Sequence, residues 1–198
     1  MAVEKEIKVK MPHDEFVGML KSRGVNFSFI KEICQVDLIL DYDDMRLLKE
    51  DSLLRIRKEN ESLFITYKGP RRLGNVYKER EEIEGELGSE ESVLALKMAG
   101  IYLNEDIRDE KALIEFLSSR GIKIRAVVEK HRIVMRIYPW KSLIFLDDVK
   151  GLGEYIEIEG DDCQEVAKFL NLKNFVKESY AELILRESSL HQLSLGDP

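Results

Sequence analysis

The sequence predicts an α+β protein: an eight-stranded antiparallel β-barrel, or tunnel, with a charged interior and helices packed outside. Three observations predict it. Residues 3–10, V-E-K-E-I-K-V-K, alternate so that Glu4, Glu6, Lys8 and Lys10 share one side of an extended chain, because successive side chains of a strand point to opposite faces. Five later segments repeat the alternation, each setting like-spaced charges opposite apolar residues. Between the strands lie short amphipathic helices with start and stop signals. Charge inside and apolar residues outside reverse the pattern of a filled small barrel, so helices must cover the outer face while the interior stays wet.

Taken in order, Pro12 and Asp14 open a helix with apolar Phe16, Val17, Met19 and Leu20, which Gly24 stops. Residues 25–32 fit no single template, whereas residues 33–42 are a β-rich run in which Gln35 and Asp37 share a face. Acids crowd residues 41–51, a loop or short helical turn. Residues 53–58 and 63–68 read as a hairpin around Glu59, Asn60 and Glu61. Arg55 and Arg57 share a face of its first strand; Phe64, Thr66 and Lys68 share one on its second. Gly69 and Pro70 end the hairpin, and R-R-L-G-N follows as a basic loop. From Val76 the chain is extended again, with Lys78, Arg80, Glu82 and Glu84 on one face.

Residues 89–99 form a helix capped by Ser89 and closed by Gly100, and residues 109–120 a second closed by Gly121. The long strand 122–138 alternates Lys130, Arg132 and Arg136 against His131, Ile133, Met135 and Ile137 until Pro139 breaks it. Residues 143–149 and 154–159 pair through K-G-L-G, the first carrying Asp147 and the second Glu157 and Glu159. Helices are expected at 161–172 and 179–186. Residues 1–187 therefore read as one domain, and 188–198 as a polar, flexible tail expected to fray. His131 faces away from Lys130 and Arg132, a surface or helix-packing position, and Trp140 reads as a turn or core anchor.

At 198 residues, with 44% apolar and 35% charged residues, the chain can bury one sizeable core and carries more charge than an average domain. A net charge of −7 excludes a global field that would draw in nucleic acid or anionic membrane. Cys34 and Cys163 stand far apart, without ligand spacing, so neither a disulfide framework nor a zinc site is favoured. The amino terminus is charged where a signal peptide needs an apolar run, and no apolar stretch is long enough to span a bilayer. A soluble, cytoplasmic protein is the expectation.

Glu4-x-Glu6-x-Lys8 resembles the signature of the CYTH superfamily, the triphosphate tunnel metalloenzymes, which include class IV adenylyl cyclases and thiamine and inorganic triphosphatases. The resemblance continues in order along nearly the whole chain: Gln35-x-Asp37, L-R-I-R with Arg55 and Arg57, I-T-Y-K-G-P with Lys68, Arg80-x-Glu82, E-K-H-R with Lys130 and Arg132, the block L-D-D-V-K-G-L-G-E-Y-I-E-I-E, and Ser179-Tyr180. Two departures stand out. Ile39 occupies the place where the family's Q-x-D strand usually has a tyrosine, and the stretch between Glu84 and Lys130 is longer than usual, with 89–120 as a helical insertion. That region is open as a lid, a homodimer contact or plain surface.

A triphosphate concentrates negative charge on closely spaced oxygens and needs donors spread along a groove, with arginine favoured for bidentate contact. Lys8, Arg55, Arg57, Lys68, Lys78, Arg80, Lys130 and Arg132 are the expected triphosphate-binding set, with Lys8, Lys68 and Lys130 as catalytic candidates. Neighbours at i and i+2 on a strand lie about 7 Å apart, so one strand can touch successive phosphates. Glu4, Glu6, Glu82, Asp147, Glu157 and Glu159 are oxygen ligands suited to Mg2+ or Mn2+. Mere charge pairing is a poor reason for so many inward ions, since desolvation costs several kcal/mol each and pairing often only breaks even.

The resemblance implies a metal-dependent enzyme on ATP, tripolyphosphate or thiamine triphosphate, nearest the class IV adenylyl cyclases, which make cyclic AMP and pyrophosphate. A triphosphatase is the alternative, and a non-catalytic polyphosphate or nucleotide binder a further one. The acidic net charge disfavours an RNA 5′-triphosphatase or any nucleic-acid partner.

Overall fold

The computed structural model describes residues 2–73, 77–104 and 107–194. In chain order the elements are β1 (Ala2–Lys10), α1 (His13–Ser22), β2 (Phe27–Tyr42), α2 (Arg46–Lys49), β3 (Leu53–Glu59), β4 (Ser62–Lys68), β5 (Arg72–Leu73) and β6 (Lys78–Glu86). Then follow α3 (Glu90–Met98), α4 (Glu110–Ser118), β7 (Ile122–Ile137), β8 (Leu143–Val149), β9 (Gly153–Glu159), α5 (Cys163–Phe169) and α6 (Tyr180–Ser194). The strands run β1-β9-β8-β7-β2-β3-β4-β6-β5, and a further β1–β6 pairing closes eight of them into a ring, with the two-residue β5 attached to β6. This is the predicted closed antiparallel barrel with helices packed around it.

Two compact units make up the chain: Met1–Gln35, Arg71–Glu81 and Glu129–Lys177 in the first, and Val36–Pro70, Glu82–Val128 and Glu178–Pro198 in the second. In the first unit β1, β9, β8 and the end of β7 pair antiparallel, with Ile7 opposite Ile158, Ile156 opposite Leu146 and Ile144 opposite Met135. These apolar side chains share one face. There they meet Phe16 and Leu20 of α1 and Val166 and Ala167 of α5 in a single buried cluster. Trp140 packs against that cluster with its ring 4.8 Å from Phe169, which makes it the core anchor the sequence predicts.

The second unit repeats the arrangement. β3 pairs with β4 across a two-residue turn, Glu59 opposite Ser62, with Asn60 at φ 56. β4 then pairs with β6. Leu54, Ile56, Ile65 and Ile83 turn to the face where α3 and α4 supply Ala95, Leu96, Leu113 and Leu117. The predicted Ser89 cap forms, with Ser92 N donating to Ser89 Oγ at 3.1 Å, and Asp109 caps α4 in the same way, accepting from Ala112 N at 2.9 Å. Gly100 and Gly121 adopt the left-handed backbone that closes them.

The elements differ from the sequence reading, or complete it, in four places. The ambiguous residues 25–32 mostly join β2, whose first half is exposed and so lacks a legible pattern. Arg72 and Leu73 of the expected basic loop pair with Glu79 and Lys78 as an edge strand, while residues 74–76 lie outside the described residues. The helix expected over 161–172 is confined to α5. The helix expected over 179–186 extends as α6 to Ser194: Ser179 and Glu182 cap its start reciprocally, and no glycine or proline intervenes before Gly196. The last four residues lie outside the described residues.

Candidate active site

In the first unit the face turned away from α1 and α5 carries rows of charge. The register sets Lys8 opposite Glu157 and Glu6 opposite Glu159 on β1 and β9, and Arg132 opposite Asp147 on β7 and β8. Asp147, fully buried, receives Arg132 Nε on Oδ1 and its terminal nitrogen on Oδ2, both at 2.6 Å, and Lys130 Nζ stands 3.5 Å from Oδ2. Arg132 also donates to Glu157, whose other oxygen lies 3.2 Å from Lys8 Nζ. Lys78 pairs with Glu6. Behind this face, His13 Nε2 lies 3.2 Å from the Asp147 carbonyl and its backbone N donates to Glu154, pinning the β8–β9 hairpin to the start of α1.

Electrostatics follow from that packing. Burial alone would raise the Glu157 carboxyl, but Lys8, Arg132 and Lys130 pull it well below the ordinary carboxylate range. Burial disfavours a charged Lys8, yet Glu157 and Glu6 overcome it and hold the ammonium more firmly than in water. Lys78 goes the other way: burial and the nearby Lys8 lower it despite Glu6. Two buried lysines on one face thus differ because only one has acids enough to offset its desolvation.

The second unit has its own charged face on β3, β4 and β6. Arg57 donates through Nε to Asp37 Oδ1 at 2.7 Å and through a terminal nitrogen to Oδ2 at 2.8 Å. Arg55 reaches Asp37 at 3.3 Å, Glu84 at 2.8 Å and Thr66 at 3.0 Å, with Glu82 3.8 Å away. Lys68 Nζ lies 3.1 Å from Glu82. Burial would raise Glu82, but Lys68 and Arg55 lower it; burial would raise Glu84, but Arg55 and a Thr66 hydroxyl bond lower it.

Within the first unit the structure brings together Lys8, Lys130, Arg132, Asp147 and Glu157, and sets Lys78 on Glu6. Within the second it brings together Arg55, Arg57, Lys68 and Glu82. Glu4, Arg80 and Glu159 are part-buried, and alternation along β1, β6 and β9 sets them on the charged faces. His131 pairs with Glu32 Oε1 at 2.6 Å, the surface position the sequence predicts. Arg136, on the same face as Arg132, is exposed. Asp37, Thr66 and Glu84 join these clusters although the expected site set omits them. Each shares a strand face with a candidate at i±2, so the alternation already marked them.

Among the described residues no three acidic, histidine or cysteine side chains converge as a metal cluster. The reason is visible: Glu157, Asp147 and Glu82 each have cations in contact. Glu6, which pairs with Lys78, is also directly opposed to Glu159 across β1 and β9. Like charges so placed repel unless a cation offsets them, and hard carboxylate oxygens are what Mg2+ or Mn2+ prefers. The donor chemistry of Glu4, Glu6 and Glu159 therefore fits a divalent ion.

On the charged face of each unit bases and acids interleave. Residues 2–192 match the CYTH domain, so the chain belongs to the CYTH domain family. A Methanocaldococcus jannaschii protein, named as a proposed adenylate cyclase, is 32% identical over 196 residues, covering 91% of this chain and 98% of its own. Among solved structures, the PH1819 protein of Pyrococcus horikoshii aligns with a TM-score of 0.68 at 28% identity, over 93% of this chain and 99% of its own. A Hippeastrum protein, described as an adenylyl cyclase candidate with dominant triphosphatase activity, shares the fold at 18% identity and a TM-score of 0.61, over 93% and 96% of the two chains.

Proposed function

We propose that this chain is a divalent-metal-dependent enzyme acting on a triphosphate, with ATP as substrate and cyclic AMP and pyrophosphate as products. The observation that carries it is the Lys8–Glu157–Arg132–Asp147–Lys130 array, nearly all of it withdrawn from water. An array kept only for stability would gain as much from apolar residues of the same volume. A polyanion turns the same desolvation into binding energy. The similarity to a protein named as a proposed adenylate cyclase supports the choice of reaction.

Each residue has a task in this reading. Lys8 and Lys130 turn their ammonium groups, each with three donors, to phosphate oxygens. Arg132, clamped by Asp147, presents a fixed guanidinium to charge that builds on the leaving pyrophosphate. Asp147, Glu157 and Glu82 orient the cations. Glu4, Glu6 and Glu159 hold the metal. When bound, the ion offsets phosphate charge and lowers the pKa of an attacking oxygen. Attack by the ribose 3′-hydroxyl on the α-phosphorus expels pyrophosphate; attack by water on the γ-phosphorus would release phosphate instead.

Incubation with Mg2+ or Mn2+ and either ATP or tripolyphosphate, followed by product separation, tests this directly. Cyclic AMP with stoichiometric pyrophosphate is expected. Phosphate release without cyclic AMP makes the protein a triphosphatase and overturns the cyclase assignment. Tight binding without turnover at any metal concentration makes it a binder and overturns the enzyme.

A further inference from the structure

Two of the short helices show solvent a polar face: Asp14, Glu15 and Lys21 on α1, and Lys111, Glu115 and Ser118 on α4. α3 does not. Beside Glu90, Glu91 and Lys97 it exposes Val93, Leu94 and Met98, which are 44%, 39% and 43% accessible. Tyr102, just beyond Gly100, extends this apolar surface and is 67% exposed. An apolar patch rimmed by charge marks an interaction site. The back of α3, Ala95 and Leu96, packs with Leu54 and Ile56 on the side of β3 turned away from Arg55 and Arg57. A lid over the charged face would have to lie on the other side.

The charges on α3 select its partner. Glu90 and Glu91 stand at the start of the helix and Lys97 near its end. At about 100° per residue, Glu90, Leu94, Lys97 and Met98 share one outward arc. Parallel pairing of two such helices would set Glu90 on Glu90 and Lys97 on Lys97, and like charges across a contact are costly. Antiparallel pairing about Leu94 lays the acidic end of each helix on the basic end of the other. Lys97 lies three residues past Leu94 and Glu90 four before it on the same flank, so the two meet at heights that differ by about 1.5 Å. A second copy of this chain thus supplies an apolar stripe of equal length with its charges in reverse order.

We propose that α3 is the surface through which two copies of this chain associate about a two-fold axis. Leu94 sits on the axis, Val93 and Met98 flank it, and Lys97 of each copy meets Glu90 of the other, as an isologous contact requires. Nothing in this contact depends on the triphosphate reading.

Sedimentation equilibrium of the full chain tests it, with circular dichroism as the check on folding. The wild type is expected to dimerise. Glu90→Lys and Lys97→Glu should each weaken the dimer by at least about tenfold, because the like-charge contact then occurs on both sides of the axis. An equimolar mixture of these two variants should associate again, since one offers only bases at these positions and the other only acids. The double variant should dimerise like the wild type, and Leu94→Glu should be monomeric. A wild-type protein that stays monomeric overturns the proposal, as do Leu94→Glu or single reversals that dimerise unchanged. Failure of the mixture to associate overturns the antiparallel contact itself.

Discussion

Asp37 holds Arg57 with both carboxylate oxygens and touches Arg55 with one of them. All three side chains are buried, so Asp37 is the acid that keeps two desolvated guanidiniums in place. Breaking a buried ion pair from one side typically costs about 3–5 kcal/mol, because the remaining charge stays desolvated. Asp37→Asn is expected to lower the urea-derived unfolding free energy by about 3 kcal/mol. A loss smaller than about 1 kcal/mol, the scale of an exposed pair, would show that these arginines do not depend on it.

Metal dependence separates the two kinds of acid. Glu159→Gln removes a proposed ligand opposite Glu6, so the Mg2+ concentration for half-maximal turnover should rise by at least about tenfold. Glu157→Gln removes an acid already engaged by Lys8 and Arg132. Its effect should fall on the triphosphate KM and on stability, with half-maximal Mg2+ little changed. Equal shifts in metal requirement would refute this division.

The cations divide in a similar way. Lys130 lies in the first unit's cation cluster, 3.5 Å from Asp147, whereas Arg57 lays its fork on Asp37 in the second unit. A charge-assisted hydrogen bond contributes about 1.5–3 kcal/mol, or about tenfold to a hundredfold in affinity. Lys130→Ala should weaken tripolyphosphate binding by that factor, and the effect should shrink in high salt. Arg57→Ala should chiefly reduce stability. Calorimetry beside urea unfolding reads both, and comparable affinity losses would count against the distinction.

Strand alternation made the charged faces legible: Glu4, Glu6, Lys8, Arg55, Arg57, Lys130, Arg132 and Glu157 all follow from counting every second residue. Serine and aspartate before apolar runs made α3 and α4 legible too. Partner choice was not. Whether Asp147 meets a metal or Arg132 depends on β7–β8 register, which links residues 15 apart by pairing that no local pattern encodes.

Gly85 shows a constraint of packing rather than of backbone angle. A Cβ there would lie 2.6 Å from Glu91 Cβ and 2.7 Å from Ser92 N, at the start of α3. Backbone cannot yield as a flexible side chain can, so Gly85→Ala must push α3 off β6. Overpacking of this kind costs about 1–3 kcal/mol. A matching drop in unfolding free energy is expected, with faster amide exchange at Leu96 than in the wild type; unchanged exchange would mean that the helix start accommodates the methyl group.

Acid should weaken the fold through Glu82 and Glu84. Both carboxyls lie below their ordinary value in the folded protein: burial opposes this, but Lys68 and Arg55 outweigh it for Glu82, as Arg55 and Thr66 do for Glu84. A carboxyl lowered by folding contributes stability that is fully present above its unfolded value, about 4.3, and is lost as pH falls through the folded value. The unfolding free energy should therefore be nearly flat from neutral pH down to about 5 and fall below about 4.3. Glu84→Gln, which cannot ionise, should be less stable than the wild type at pH 7 and should lose less on acidification. The two curves then converge at low pH. Parallel curves would show that Glu84 does not carry its share of the linkage, despite the 2.8 Å contact with Arg55.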